Sequence, residues 1–293
     1  PNSVKLSHEV RKKINELNKR GVLVLEQPYE KEDFSEFGLE KDVVLPENIA
    51  YTHRRGEEAD IYFIANQENS KRKFTASFRV NGLKPQLWNP MTGEIAEING
   101  WKTVNGRTEI SLELTEYASM FVAFSRNPVH AANPKTKTNE ESVKVKSWDV
   151  YFEETGVKLE TDTLFDWSKR KEDNIRYYSG RAVYSAEFKV ANMSDKIMLN
   201  LGTVCSLAGV WINDIYCGTV WMSPYSLDVT KALKKGKNKI KIEVVNTWAN
   251  ALLGKELGKA PFENIWTNGK YRRAEKDLLS SGLAGPLVLE HYN

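Results

Sequence analysis

Short runs in which apolar and polar residues alternate, separated by turn-forming pairs, fill most of this 293-residue chain from about Ile49 onward. Phe74, Ala76, Phe78 and Val80 alternate with Thr75, Ser77 and Arg79; Ile240, Ile242 and Val244 alternate with Lys239, Lys241 and Glu243. A period of two sends successive side chains to opposite faces of a strand, so each run offers one face to a core and one to water. Runs this short, punctuated by Asn81-Gly82, Thr92-Gly93 and Asn105-Gly106, fit antiparallel sandwiches. They do not fit an eight-fold alternation of strand and helix, which takes about 250 residues to build.

The first 48 residues read differently. Ser7 can cap a helix in which Val10, Ile14 and Leu17 share a face and which Gly21 ends. Val22-Leu23-Val24-Leu25 is continuously apolar, as in a strand covered on both sides of a parallel sheet. One helix–strand unit cannot make such a sheet, so residues 1–48 are expected to be the α/β remnant and connector of a truncated upstream domain. The opening at Pro1, with no initiator Met and no apolar leader, fits a piece of a longer protein. Residues 49–126 then read as a small β-sandwich and 127–142, rich in Asn, Lys and Thr, as a linker. Residues 143–293 read as a second sandwich of about eight strands. The expected fold is thus mainly β: two antiparallel β-sandwiches plus a short N-terminal α/β remnant.

Charge narrows the function. The 42 Lys and Arg nearly cancel the 39 Asp and Glu, leaving a formal charge of +3, too small a field for a nucleic-acid binder. The longest stretch without a charged residue, Ile197 to Asn213, is broken by Asn, Gly, Ser and Thr and falls short of the ~20 apolar residues of a membrane span. Cys205 and Cys217 are too few for a disulfide scaffold. A hairpin turn at Asn213-Asp214 would set Ile212 opposite Ile215 and Val210 opposite Cys217, which leaves both thiols free and partly buried.

No catalytic constellation stands out. The acidic pairs Glu57/Glu58 with Asp60, Glu153/Glu154 and Glu172/Asp173 consist mostly of neighbours, which point to opposite faces of a strand and make poor dyads. None of His8, His53, His130 and His291 lies near a nucleophile motif, and no C-x-x-C or H-E-x-x-H spacing suggests zinc. His53-Arg54-Arg55 could donate to sugar hydroxyls or to the acids of a neighbouring domain; a salt-bridge cluster between domains is the plainer reading. The aromatics carry more. Tyr177, Tyr178, Trp221, Tyr225, Trp248 with Asn250, and Trp266 fall at expected strand ends or in loops. Rings there could stack on sugar C–H faces or anchor another domain.

Several separate motifs resemble one enzyme class. LNLGTVCSLAGVWINDIYCGTVWMSPYSLDVTKALKKGKNKIKIEVVNTW, Leu199 to Trp248, resembles the galactose-binding-like jelly roll of large glycoside hydrolases, with Asp214 in place of the usual hairpin glycine. NTWANALLG, SGLAGPLVL, FDWSKRKEDNIRYYSGRAVYSAEF, HRRGEEADIYFIANQ and LWNPMTGEI extend the likeness across nearly the whole chain. They are similar to the C-terminal region of bacterial α-L-rhamnosidases of glycoside hydrolase family 106.

The resemblance implies that the catalytic carboxylates sit on an upstream (β/α)₈ barrel and that this chain is a non-catalytic accessory region, inactive alone, that supports the barrel and contacts carbohydrate. The partner would be the catalytic domain of the same polypeptide, and the location secreted, periplasmic or cell-surface. The jelly roll also brings structural calcium into view, with Asp162, Asp166 and Asp173 as candidate ligands. Two alternatives stay open: a free-standing carbohydrate-binding module, and a purely structural or adhesive sandwich.

Overall fold

The computed structural model describes residues 6–22, 24, 33–128, 135–269 and 278–293. The chain is mainly β, in several antiparallel sheets with a few short helices. The N-terminal helix, His8–Lys19, is capped by Ser7, whose hydroxyl accepts from the Val10 amide, and Gly21 follows it at φ +73°. None of its residues is buried. The apolar run expected to follow it includes Leu23 and Leu25, which lie outside the described residues; Val22 is exposed.

The first sandwich pairs a five-stranded with a four-stranded sheet. The five-stranded sheet runs Ile49–Arg55, Ala59–Asn66, Ser119–Ser125, Pro85–Trp88, Ile95–Glu97 in spatial order. Strand Ala59–Asn66 alternates strictly, with Asp60, Tyr62, Ile64 and Asn66 inward. Tyr62 meets Phe78 and Phe124 at ring distances of 4.9 and 6.0 Å to close the core. The structure also draws the end of the expected connector into this unit. Val43–Val44 pairs with Arg72–Phe78, Val43 is buried, and the Arg107 guanidinium donates to the carbonyls of Lys41, Asp42 and Ser77. A two-residue strand has no period to read, so nothing in residues 26–48 announced it.

The second sandwich pairs a six-stranded with a four-stranded sheet. The six-stranded sheet runs Val157–Thr161, Trp148–Phe152, Arg181–Val190, Gly236–Val245, Leu207–Ile212, Ile215–Val220. The four-stranded sheet runs Lys137–Ser142, Val288–Tyr292, Lys196–Asn200, Ser226–Asp228. Its first member lies inside the stretch expected to be linker, of which residues 129–134 are outside the described set. Lys137–Ser142 is an edge strand of charged and polar residues, the composition that protects an edge from further pairing and also hides the strand from a search for apolar alternation.

The hairpin forms at Asn213-Asp214, both with positive φ (50° and 68°), as a two-residue primed turn requires. Ile212 faces Ile215, and Trp211 faces Tyr216 with rings 5.0 Å apart. A bulge between Val210 and Trp211 then moves Val210 opposite Gly218 rather than the expected Cys217. Gly218 takes φ +133°, open to it because it has no side chain. Both cysteines are free and half-buried, and burial pushes both thiols up from their ordinary range.

Candidate functional site

The site is built at one end of the second sandwich. Leu207 pairs with Val245 and Ala208 with Val220, so the residues that leave these strands, including Trp221 and Trp248, emerge at the same end. The excursion after Trp248 forms the helix Ala249–Glu256 and then folds back. Ile265 is buried, and the Lys255 ammonium donates to the Ile265 carbonyl.

Rings at this end separate into two populations. Trp167, Tyr178 and Phe152 are fully buried and pack edge to face, with Trp167 and Tyr178 centroids 5.4 Å apart, and Tyr184 is as deeply buried. Their polar tips are all engaged. Trp167 Nε1 donates to the Tyr184 hydroxyl at 2.6 Å, and the Tyr178 hydroxyl contacts the Arg181 carbonyl at 2.6 Å and the Glu154 carboxylate. Burial raises the Tyr184 phenol well above its ordinary value, which keeps it neutral and able to donate. Gly282, at φ +92°, makes room: a Cβ there would lie 2.3 Å from Trp167 Nε1.

The expectation that Tyr177, Tyr178 and Asn250 present themselves at a loop surface is corrected by their burial. Tyr177 lies under the helix Ala249–Glu256, so close that a Cβ on Gly254 would sit 2.8 Å from Tyr177 Cβ. Asn250 uses both ends of its amide on one residue, donating to the Leu279 carbonyl (2.8 Å) and accepting from the Leu279 amide (2.9 Å). It thus ties the far side of the excursion to the helix. The polar ends of Tyr178 and Asn250 are thus satisfied by the chain itself, as buried polar groups require.

Trp221, Trp248 and Trp266 form the other population, 56%, 55% and 76% exposed. Trp248 meets the half-buried Phe262 with rings 6.0 Å apart, and exposed Leu207 continues the apolar rim. Phe262 and Leu207 carry no motif that would have singled them out. Tyr225 is half-buried beside this end, its carbonyl accepting from the Leu201 amide. Three large indoles are thus left mostly in water, unlike the buried rings of the first population.

His53 and Arg54 belong to the first sandwich. The His53 ring stacks on Tyr62 at 4.0 Å, its Nδ1 meets the Asp42 carboxylate and its Nε2 meets Asp60 Oδ1 at 3.1 Å. Arg79 contacts Asp42 at 3.1 Å, and Arg55 and Arg126 flank Asp60 at 3.7 and 4.0 Å. This network joins the end of the connector to the sheet. Arg54 is exposed beside it.

The remaining chemical candidates are taken up structurally. Glu154 accepts from Tyr178 and the Arg181 amide, and Glu172 pairs with Arg170 at 2.6 Å. Asp166 Oδ1 accepts from the Ser168 amide and hydroxyl and from the Ser281 amide, at 3.0, 2.7 and 3.0 Å. Burial opposes the charge on Asp166, but these donors outweigh it and hold the carboxyl below its usual range. Among the described residues no group of three or more His, Cys, Asp and Glu is placed to hold a metal. No helix among the described residues is long and apolar enough to cross a membrane.

Two antiparallel β-sandwiches with exposed tryptophans define the class of the molecule, a β-sandwich protein. Comparisons with known proteins make this specific. Residues 4–102 match the family model of the glycoside hydrolase 106 α-L-rhamnosidases, and residues 162–276 match the glycosyl hydrolase 2 galactose-binding domain-like family. The structure of a rhamnosidase from Novosphingobium sp. PP1Y superposes with a TM-score of 0.72 at 31% identity, over 88% of this chain and 26% of that one. A curated protein of Formosa agariphila, provisionally named a β-glucuronidase, is 34% identical over 173 residues, 49% of this chain and 15% of its own length. The chain is a glycoside hydrolase-related region similar to the α-L-rhamnosidases, with a galactose-binding-like domain, and it spans about a quarter or less of these relatives.

Proposed function

We propose that this chain is the non-catalytic accessory region of an α-L-rhamnosidase-like glycoside hydrolase. Its two sandwiches buttress a catalytic domain of the same polypeptide, and the end bearing Trp221, Trp248 and Trp266 is the contact surface. One observation carries the reading: 88% of the chain superposes on only 26% of a rhamnosidase, so such an enzyme holds most of its mass outside the matched region. The acids singled out above are engaged by donors of the chain itself: Asp60 by His53, Glu154 by Tyr178 and the Arg181 amide, and Glu172 by Arg170.

The test is direct. The purified 293-residue chain is assayed on aryl α-L-rhamnosides, and no hydrolysis above buffer is expected; turnover abolished by an acid-to-amide substitution within the chain would overturn the reading. The exposed tryptophans favour one second reading, a carbohydrate-binding module active on its own. That reading requires calorimetric binding of an oligosaccharide by the isolated chain, lost in Trp221→Ala or Trp248→Ala.

A further inference from the structure

Between the two sandwiches, reaching the residues on either side of Trp221, lies an open cleft of about 720 Å³. Four of the five methionines of the chain line it: Met91, Met120, Met198 and Met222. Its floor is the outer face of the four-stranded sheet. Ile197 and Leu199 point into the core, so Lys196, Met198 and Asn200 face outward, with Tyr292, Glu290 and Ser226 beside them in register. Its roof comes from the first sandwich, from the turn around Met91 to Ala96 and the stretch ending at Met120. A Lys196–Glu94 ion pair joins floor to roof.

The lining has two characters. The methionines supply an apolar, polarizable and deformable wall, suited to an aromatic group approached by thioether sulfur. The floor supplies a fixed polar spot. Glu290 Oε1 accepts from Lys137 Nζ at 2.9 Å and Oε2 from the Tyr292 hydroxyl at 3.1 Å. Burial opposes the charge on Glu290, yet these donors together with the Asn200 amide hold the carboxyl below its usual range. A carboxylate oxygen accepts more than one donor, so Glu290 remains an oriented acceptor for hydroxyls. Two strands away, across Met198 and Asn200, Ser226 Oγ is buried with no hydrogen-bond partner. The lining charges, Lys135 and Lys196 against Glu94, Glu113 and Glu290, give no excess of positive charge to attract an anion. A free oligosaccharide, with hydroxyls on every side, would leave many of them against methionine. A glycoside with an aromatic aglycone matches both halves.

We propose that the cleft between the sandwiches binds a neutral aryl glycoside, its sugar hydroxyls on Glu290 and Ser226 and its aglycone against the methionine wall. The inference rests on reading the chain as part of a carbohydrate-active enzyme. The rhamnoside assay on the isolated chain and the tryptophan variants test that reading through other residues, so either can fail alone.

The experiment uses the full chain with ¹³C-methyl-labelled methionine, titrated with phenyl α-L-rhamnopyranoside and phenyl β-D-glucopyranoside, with the methyl glycosides and phenol as controls. With at least one phenyl glycoside, the methyl signals of Met91, Met120, Met198 and Met222 should move together while that of Met193, outside the cavity, stays still. Affinity should exceed that for the methyl glycoside or phenol by about tenfold. Glu290→Gln should weaken the phenyl glycoside by about tenfold without weakening phenol, and Met222→Gln, in the loop before Pro224, should remove the advantage of the phenyl group. Two results would overturn the proposal: no movement of the four methyls with either phenyl glycoside, or phenol binding as tightly as its glycosides, which would make the cleft an apolar void with no sugar recognition.

Discussion

One end of the second sandwich holds two sets of large aromatic residues that the chain uses in opposite ways. Trp167, Tyr177 and Tyr178 are completely buried, whereas Trp221, Trp248 and Trp266 are more than half exposed. Residue type does not separate the sets; the fate of the polar tip and the space beside the ring do. Each inner ring has its place made by a neighbour, Gly282 for Trp167 and Gly254 for Tyr177, or its hydroxyl anchored, as in Tyr178 on the Arg181 carbonyl. The inner set builds the platform, and the outer set is what the platform presents.

The strongest way to test that division is to remove an inner ring. Trp167→Ala deletes a fully buried indole and strips the Tyr184 hydroxyl of its donor, so unfolding free energy should fall by about 4 kcal/mol. Denaturant titration followed by circular dichroism measures it; a loss below about 1 kcal/mol would mean the ring is not a core element. Tyr178→Phe keeps the ring and removes only the hydroxyl that contacts Arg181 and Glu154. A loss of about 1–3 kcal/mol is expected, since buried acceptors lose their donor.

A smaller effect sharpens the comparison at the support of the platform. Asp166 caps the turn Trp167–Lys169 and accepts from the Ser281 amide, so Asp166→Ala should cost about 1 kcal/mol near neutral pH. The pH dependence has a defined sign. The folded carboxyl titrates below its unfolded value, so its contribution is present above an unfolded pKa of about 3.9 and fades as pH falls through the lower folded value. The stability gap between wild type and Asp166→Ala should therefore close on acidification, read from paired melts between neutral and strongly acidic buffer. A gap that stays constant would show that the carboxylate charge is not what the Ser281 amide recognises.

What the amino-acid pattern revealed and what it hid follow the same physics. The alternating strands, the Ser7 cap and the Asn213-Asp214 turn are local, and each was legible because its cause lies within a few residues. The edge strand Lys137–Ser142 and the two-residue strand Val43–Val44 were not, because their partners lie more than 30 residues away and their own residues show no apolar period. The burial of Tyr177 and Asn250 was hidden for a related reason. Both depend on how the excursion after Trp248 returns to cover them, a tertiary event no neighbouring residue encodes. The methionine cleft was the least visible of all, since Met91 and Met120 come from one sandwich and Met198 and Met222 from the other.

The smallest stability effect is the most informative about the outer set. Trp221→Ala, Trp248→Ala and Trp266→Ala each remove a ring that is already largely in water, so little transfer free energy is forfeited and each should change unfolding free energy by no more than about 0.5 kcal/mol. Trp266, at 76% exposed, should be the most nearly neutral, and Trp248, packed against Phe262, the least. If the rings serve contact, the same substitutions must show elsewhere. The chain co-expressed with a rhamnosidase catalytic barrel should be retained by it, and the triple alanine variant should weaken that retention by at least about tenfold, the size expected when buried aromatic anchors are removed from an interface. A triple variant that is as stable as the parent and retained as well would place the contact surface somewhere other than this end of the sandwich.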